Sequence, residues 1–236
     1  MMNKLKITIS TLILVLTSIS ALAQQNYSKN LFVYALENRV SYQGKAPKIS
    51  DFITAFLDVE ETDEMMGNVR SAWEHYLRHE PQNPCVQLMV DEKNGYLRYT
   101  FDARLCDDFD NLDATTLFEM CYWNCTDGKH KLIAMNVVSM MDGKYIVGQY
   151  SGINYYLYDN ATRQIWIVSA EDLNAEIEPA IDEANYETGE LMTMNDETVV
   201  VCKLPQQGKD INVDIYHGNR KTSTGLLWDG MRFKRR

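Results

Sequence analysis

The sequence predicts an α+β fold, with N-terminal helices packed on a largely antiparallel β-meander sheet or partly open barrel. Two observations carry this expectation. Before about residue 85 apolar residues recur at helical spacing, and after it Asn-Gly and Asp-Gly pairs punctuate short β-prone runs. A third observation sets the boundaries. Residues 1–23 read as a secretory signal, which leaves 24–236 as a single domain with a helical start over about 24–84 and a β-rich remainder.

The signal reading rests on three parts. Lys4 and Lys6 give a charged start, Ile7 to Leu16 is apolar apart from Thr8, Ser10 and Thr11, and Ala21-Leu22-Ala23 forms a small-x-small cleavage site before Gln24. The apolar run is too short, and too soon followed by Gln24-Gln25-Asn26, for a membrane span. No cysteine follows it, so no lipid anchor is expected. Removing the two lysines moves the formal charge from −10 to −12. That balance opposes nucleic acid or an anionic membrane as partner, because both require a basic footprint. The one dense cationic cluster, Arg232 to Arg236, reads as a solvated terminus.

The elements follow in order. A first helix is expected near Ile49 to Leu57, with Phe52, Ile53, Phe56 and Leu57 on one side and Ser50 as cap. A second runs near Asp63 to His79, capped by Thr62 and stopped by Pro81, with Met66, Val69, Trp73, Tyr76 and Leu77 on its apolar face. Hairpins then turn at Asn94-Gly95, Asp127-Gly128, Asp142-Gly143 and Asp229-Gly230, pairs that tolerate the positive φ of type I′ turns. Tyr155 to Tyr158, Gln164 to Val168, Val199 to Cys202 and Ile211 to Tyr216 continue the meander. The acidic stretch Glu171 to Glu190 starts at a Ser169 cap and meets Pro179, which makes it a charged excursion over a sheet edge.

Five cysteines in an oxidising compartment leave at least one unpaired within the chain. Cys121 and Cys125 are too far apart along a strand to bond each other. Cys85 and Cys106 flank the Asn94-Gly95 turn, and a bulge or diagonal contact would bring them together. The pairing of the five stays open.

Candidate chemistry is sparse. His75 and His79 share a helix face, but Tyr76 follows His75 where a metalloprotease has Glu, so a solvated surface outranks a metal site. Asp107, Asp108, Asp110 and Asp113 form the candidate metal group, for calcium, although the run lacks the EF-hand glycine and terminal Glu. Ser151 lies in Gly148-Gln-Tyr-Ser-Gly152, which departs from the Gly-x-Ser-x-Gly elbow. His130 and His217 stand beside glycine turns, where polar surface is the better account. No catalytic residue and no cofactor are assigned. The candidate ligand-binding residues are Tyr150, Tyr155, Tyr156, Tyr158 and Trp166 on consecutive strands, where one face packs and the other offers a flat aromatic surface to a protein, peptide or glycan.

The Ala-Leu-Ala-Gln signal end, the Cys121-Tyr-Trp-Asn…Asp127-Gly hairpin, the Tyr155-Tyr-Leu-Tyr-Asp159 strand and the closing Leu227-Trp-Asp-Gly-Met-Arg-Phe233 carry a resemblance. Together they resemble uncharacterised exported proteins of Bacteroidetes-type bacteria. The resemblance implies a periplasmic or secreted setting, in which the sequons at Asn26, Asn124 and Asn160 are chance matches, and it implies no site. The expected function is an exported soluble binding or interaction protein. The alternatives are a hydrolase of envelope or dietary polymers and a calcium-stabilised structural module.

Overall fold

The computed structural model describes residues 34–58, 64–107, 112–146, 152–177, 198–217 and 220–236, without the side chains of 34–38 and 217. Strand β1 (Tyr34–Arg39) precedes helices α1 (Ile49–Leu57) and α2 (Glu64–Leu77). Next come β2 (Val86–Asp91), β3 (Tyr96–Asp102), a 3-10 turn (Ala103–Leu105), β4 (Ala114–Asn124), β5 (His130–Met141), β6 (Lys144–Ile146), β7 (Gly152–Asp159) and β8 (Gln164–Val168). β9 (Thr198–Lys203), β10 (Ile211–His217), β11 (Arg220–Trp228) and β12 (Phe233–Arg235) follow. The helical start is therefore opened by a strand.

The strands form two open, antiparallel sheets where the sequence predicts a single sheet or partly open barrel, and the expected meander runs through β2-β3-β4-β5 and β7-β8 of the larger one. The larger has eight strands in the order β1-β8-β7-β5-β4-β3-β2, with β6 sharing the β7 edge of β5. The smaller has four, in the order β12-β11-β10-β9. Its strands include Val199 to Cys202 and Ile211 to Tyr216, which leave the first sheet and cover it. The reason is visible along β5, where Leu132 and Ala134 join one core and Ile133 and Met135 the other. A strand that is apolar on both faces requires two covers.

The small sheet forms one cover, with Val213, Leu226, Trp228 and Phe233 meeting Trp123, Leu132 and Leu157. On the opposite face Ile49, Phe52, Ile53, Phe56, Val69 and Trp73 share a core with Leu97, Phe118, Met120 and Ile133. Phe52 meets the rings of Tyr122 and Tyr158 edge-on at centroid distances of 5.2 and 5.1 Å, and Phe56 meets Tyr156 at 4.7 Å. Tyr76 and Leu77, expected on the apolar face of α2, are exposed instead. The basic tail is no free terminus: Phe233 is fully buried and β12 pairs with β11, while the cationic side chains Lys234 and Arg235 point to solvent.

Caps and turns differ from expectation for local reasons. Lys48, not Ser50, is the N-cap of α1, because the Asp51 carboxylate accepts from the Lys48 N–H at 2.8 Å. Thr62 lies outside the described residues. α2 ends two residues before Pro81's neighbour Glu80: His79 takes φ of 55°, and Glu80 N–H reaches back to His75 O at 2.9 Å. That left-handed stop, not the proline ring, terminates the helix.

Only Asp142-Gly143 makes the expected two-residue turn, with φ of 50° and 71° between paired Met141 and Lys144. At Asp127-Gly128 and Asp229-Gly230 the aspartate serves as an acceptor. Asp127 Oδ1 takes the N–H groups of Lys129 and His130, and Asp229 Oδ1 those of Met231 and Arg232, so each loop opens beyond two residues. Gly230 also admits no side chain: a Cβ there would lie 2.3 Å from Thr126 Cγ2, where the tips of the two Asp-Gly hairpins touch.

Cys85 and Cys106 are bonded, with Cα atoms 5.3 Å apart. Neither bulge nor diagonal is involved. The β2–β3 register pairs Asp91 with Tyr96 around a four-residue loop, so Asp102 stands opposite Cys85 and donates its N–H to Cys85 O at 2.9 Å. The 3-10 turn then carries Cys106 back over the strand end.

Candidate functional site

At one end of the inter-sheet core the two sheets part to leave a cavity of about 390 Å³. Its walls come from β5, β7, β9 and the segment Ala170–Ile177, and include Ile153, Ile177 and Val200 of the inter-sheet core. The segment is held by a Ser169 turn, in which Ser169 Oγ accepts from Glu171 N–H at 3.1 Å, and by Phe233 N–H donating to Leu173 O at 2.8 Å. Five polar side chains belong to the lining: the buried Asn136, Tyr155 and Cys202, together with the half-buried Thr198 and the exposed Glu176.

Beneath Asn136 lies Glu119, a carboxylate inside the protein at 5% exposure. Glu119 and Asn136 are cross-strand partners on β4 and β5, and both point between the sheets. Tyr96 donates its hydroxyl to Glu119 Oε1 at 2.6 Å; Asn136 Nδ2 and Leu204 N–H donate to Oε2 at 3.2 and 3.1 Å. All three donors are neutral. Asn136 Nδ2 also donates to Cys202 O at 2.8 Å, which ties β5 to β9.

This network leaves two buried polar atoms without a hydrogen-bond partner at the cavity: Asn136 Oδ1 and the Tyr155 hydroxyl. Their residues are 1% and 3% exposed. Burial, together with the neighbouring Cys202 and Cys121, pushes the Tyr155 hydroxyl well above its usual range, so it stays protonated. Burial, followed by the Glu119 and Asp214 carboxylates, pushes the Cys202 thiol up to about 12. The inner end of the cavity is thus uncharged, and its field is that of a nearby carboxylate.

Of the residues expected to bind a ligand, Tyr155 alone among the described ones lines this cavity. Tyr158 is fully buried under α1, its hydroxyl beside Tyr42 without a hydrogen bond of good geometry. Tyr156 is half-buried against Phe56, and Trp166 is half-buried on β8 opposite Leu157. Tyr150 lies outside the described residues. The flat exposed aromatic surface is therefore not formed by these strands: adjacent tyrosines do point to opposite faces, but both faces are covered.

Two of the four metal candidates lie among the described residues. Asp107 is exposed, Asp113 lies 3.7 Å from Arg104, and Asp108 and Asp110 lie outside the described residues. Among the described residues no group of three His, Cys, Asp or Glu side chains could hold a metal ion. His75 Nδ1 lies 3.0 Å from Pro81 O, and the chain at His79 has turned out of the helix, so the pair shares no site. His130 Nδ1 lies 2.6 Å from Asp127 Oδ2. Burial works to raise the Asp127 carboxyl, but hydrogen bonds from His130 and Lys129 outweigh it and hold the group below its usual value. Ser151 lies outside the described residues.

A larger hollow of about 760 Å³ lies between α2 and the sheet, lined by Glu64, Asn68, Ser71 and His75 among others. Among the described residues its lining holds no buried polar atom without a partner, and Gln82 there donates to Ala72 O at 2.9 Å. The smaller cavity has the better claim, being mostly apolar with a few convergent polar groups.

Asn136 and Glu119 went unnoticed in the sequence. Their signal was a polar residue at a core-facing position inside an apolar run, Phe118-Glu119-Met120 and Met135-Asn136-Val137. No protein-family model, curated protein or solved structure matches the chain. Among the described residues no helix is long and apolar enough to cross a membrane.

Proposed function

We propose that this chain is an exported, soluble binding protein that holds a small molecule in the cavity between its two sheets. One observation carries the reading: Asn136 Oδ1 and the Tyr155 hydroxyl are buried without partners at the inner end of a mostly apolar cavity. Each such atom costs about 1–3 kcal/mol. A ligand that supplies the missing hydrogen bonds recovers that cost while burying its own apolar body against Ile153, Ile177 and Val200. The buried positions of Tyr155 and Tyr158 favour a small molecule over a protein or glycan laid on an aromatic surface.

Export is supported by the charged start, apolar core and Ala21-Leu22-Ala23 site, and by the resemblance to exported Bacteroidetes-type proteins. Expression in a Gram-negative host tests it. Recovery from the periplasmic fraction with Gln24 as first residue is the expected result, and an uncleaved cytoplasmic chain would overturn export.

Binding is tested with 1-aminoanthracene, a neutral fluorophore of suitable size. The expected result is saturable fluorescence enhancement at one site per chain, abolished by Val200→Phe in protein whose circular dichroism melt remains cooperative. No saturable uptake by the folded wild-type chain would overturn the reading.

A further inference from the structure

The hydrogen-bond inventory at the inner end of the cavity restricts which head group a ligand can carry. Both N–H bonds of the Asn136 amide are committed, one to Glu119 Oε2 and one to Cys202 O. What Asn136 offers is a carbonyl oxygen alone, so the ligand must donate to it. The Tyr155 hydroxyl either donates or accepts. In the β5–β7 register Asn136 stands opposite Ile153 and Ala134 opposite Tyr155. Asn136 and Tyr155 are therefore diagonal neighbours on one face, roughly 7–8 Å apart at Cα, a span that one small group can bridge.

Three heads compete for this place. A carboxylate has no hydrogen to donate to Asn136 Oδ1 and would enter the field of Glu119. An ammonium donates, but it must shed its water, and both oxygens of Glu119 are already occupied by three neutral donors. A hydroxyl donates once to Asn136 and accepts once from Tyr155, leaving no unpaired group and bringing no charge.

We infer that the cavity selects neutral apolar molecules ending in a single hydroxyl, of the medium-chain alcohol type, with that hydroxyl held between Asn136 Oδ1 and the Tyr155 hydroxyl. The inference rests on the binding reading above. A cavity of about 390 Å³, filled at interior density, holds a body of roughly fifteen heavy atoms, room enough for a medium-chain alcohol.

Calorimetric titration of the mature chain with 1-nonanol, 1-methoxynonane, nonanoate and nonylamine tests the selection. Backbone 15N shifts of Val199 to Cys202 locate the site. The alcohol is expected to bind at least about tenfold tighter than each of the other three, because each leaves a polar atom unpaired or introduces a buried charge. Tyr155→Phe, which removes only the hydroxyl, is expected to weaken 1-nonanol about fivefold or more in protein whose circular dichroism melt remains cooperative. Equal or tighter binding of nonanoate, nonylamine or the methyl ether overturns the inference and leaves the cavity reading standing. So does failure of 1-nonanol to bind while 1-aminoanthracene still does. Failure of all five compounds overturns both.

Discussion

The helix-covered face of the large sheet is filled by interlocking rings, whereas the face beneath the small sheet carries a carboxylate, an amide and a void. On the first, Phe52 is fully buried between Tyr122 and Tyr158. On the second, Glu119 and Asn136 occupy positions equivalent in burial, and space remains beside them. The strands are the same, and only the parity of the residue decides which environment it enters. The comparison teaches that one sheet can devote one face to packing and the other to a polar network that stability alone does not require.

The comparison is broken most directly by truncating each face. Phe52→Ala deletes a ring with no neighbouring space to collapse into, and should cost about 3–5 kcal/mol in urea denaturation. Val200→Ala, at the wall of an existing cavity, should cost only about 1 kcal/mol. Equal losses at the two positions would show that the faces are packed alike.

Glu119→Gln sharpens the polar side of the comparison. The carboxamide places an NH2 group where the carboxylate accepts, so either Tyr96 or the pair Asn136 and Leu204 loses its acceptor. A loss of about 2–4 kcal/mol is expected by the same denaturation measurement. Tyr96→Phe, which removes one donor and leaves the others in place, should lose about half as much. A neutral Glu119→Gln would mean that the network is not holding the sheets together.

The first helix, the hairpin sites and the two-faced tyrosine strand were legible because each depends on local chemistry: apolar spacing at Phe52, Ile53 and Phe56, or glycine where φ is positive. The second sheet was not, because the runs at Val199 and Ile211 carry the same alternation whichever sheet they join. The Cys85–Cys106 bond was legible as a possibility, but its geometry depends on a turn whose length Asp91 sets by accepting from Asn94. The site was the least legible. Asn136 and Tyr155 gain meaning only when Cys202, distant in sequence, has taken one amide hydrogen and Glu119 the other.

Tyr155→Phe probes the cavity without changing its shape. The Tyr155 hydroxyl has no partner, so its removal should raise the stability of the ligand-free protein by about 1 kcal/mol, read as a higher urea midpoint with an unchanged slope. Most tyrosine truncations in a core would do the opposite. A destabilised Tyr155→Phe would show that the hydroxyl is satisfied in solution, and the cavity would lose one of its two unpaired groups.

A second carboxylate, Asp214, offers the smallest and most selective contrast with Glu119. It lies on β10 between Val213 and Ile215, which face the core, and so points away from the large sheet toward Lys203, Lys221 and Ser223. Burial works to raise its carboxyl, but hydrogen bonds from Ser223, Lys221 and Lys203 outweigh it and bring the value to about 2. A folded value below the unfolded one of about 3.9 means that the stabilisation is fully present above pH 4 and is lost as the pH falls through about 2. Because both lysines are about half exposed, at 49% and 47%, solvent screening reduces the contribution to about 1 kcal/mol. Wild type should therefore exceed Asp214→Asn by that margin at pH 5, and the two melting curves should converge toward pH 2. A gap that persists at pH 2 would assign the effect of the substitution to packing at the rim of the small sheet rather than to charge. Glu119, whose donors are neutral, would then be no different in kind from its solvent-facing counterpart.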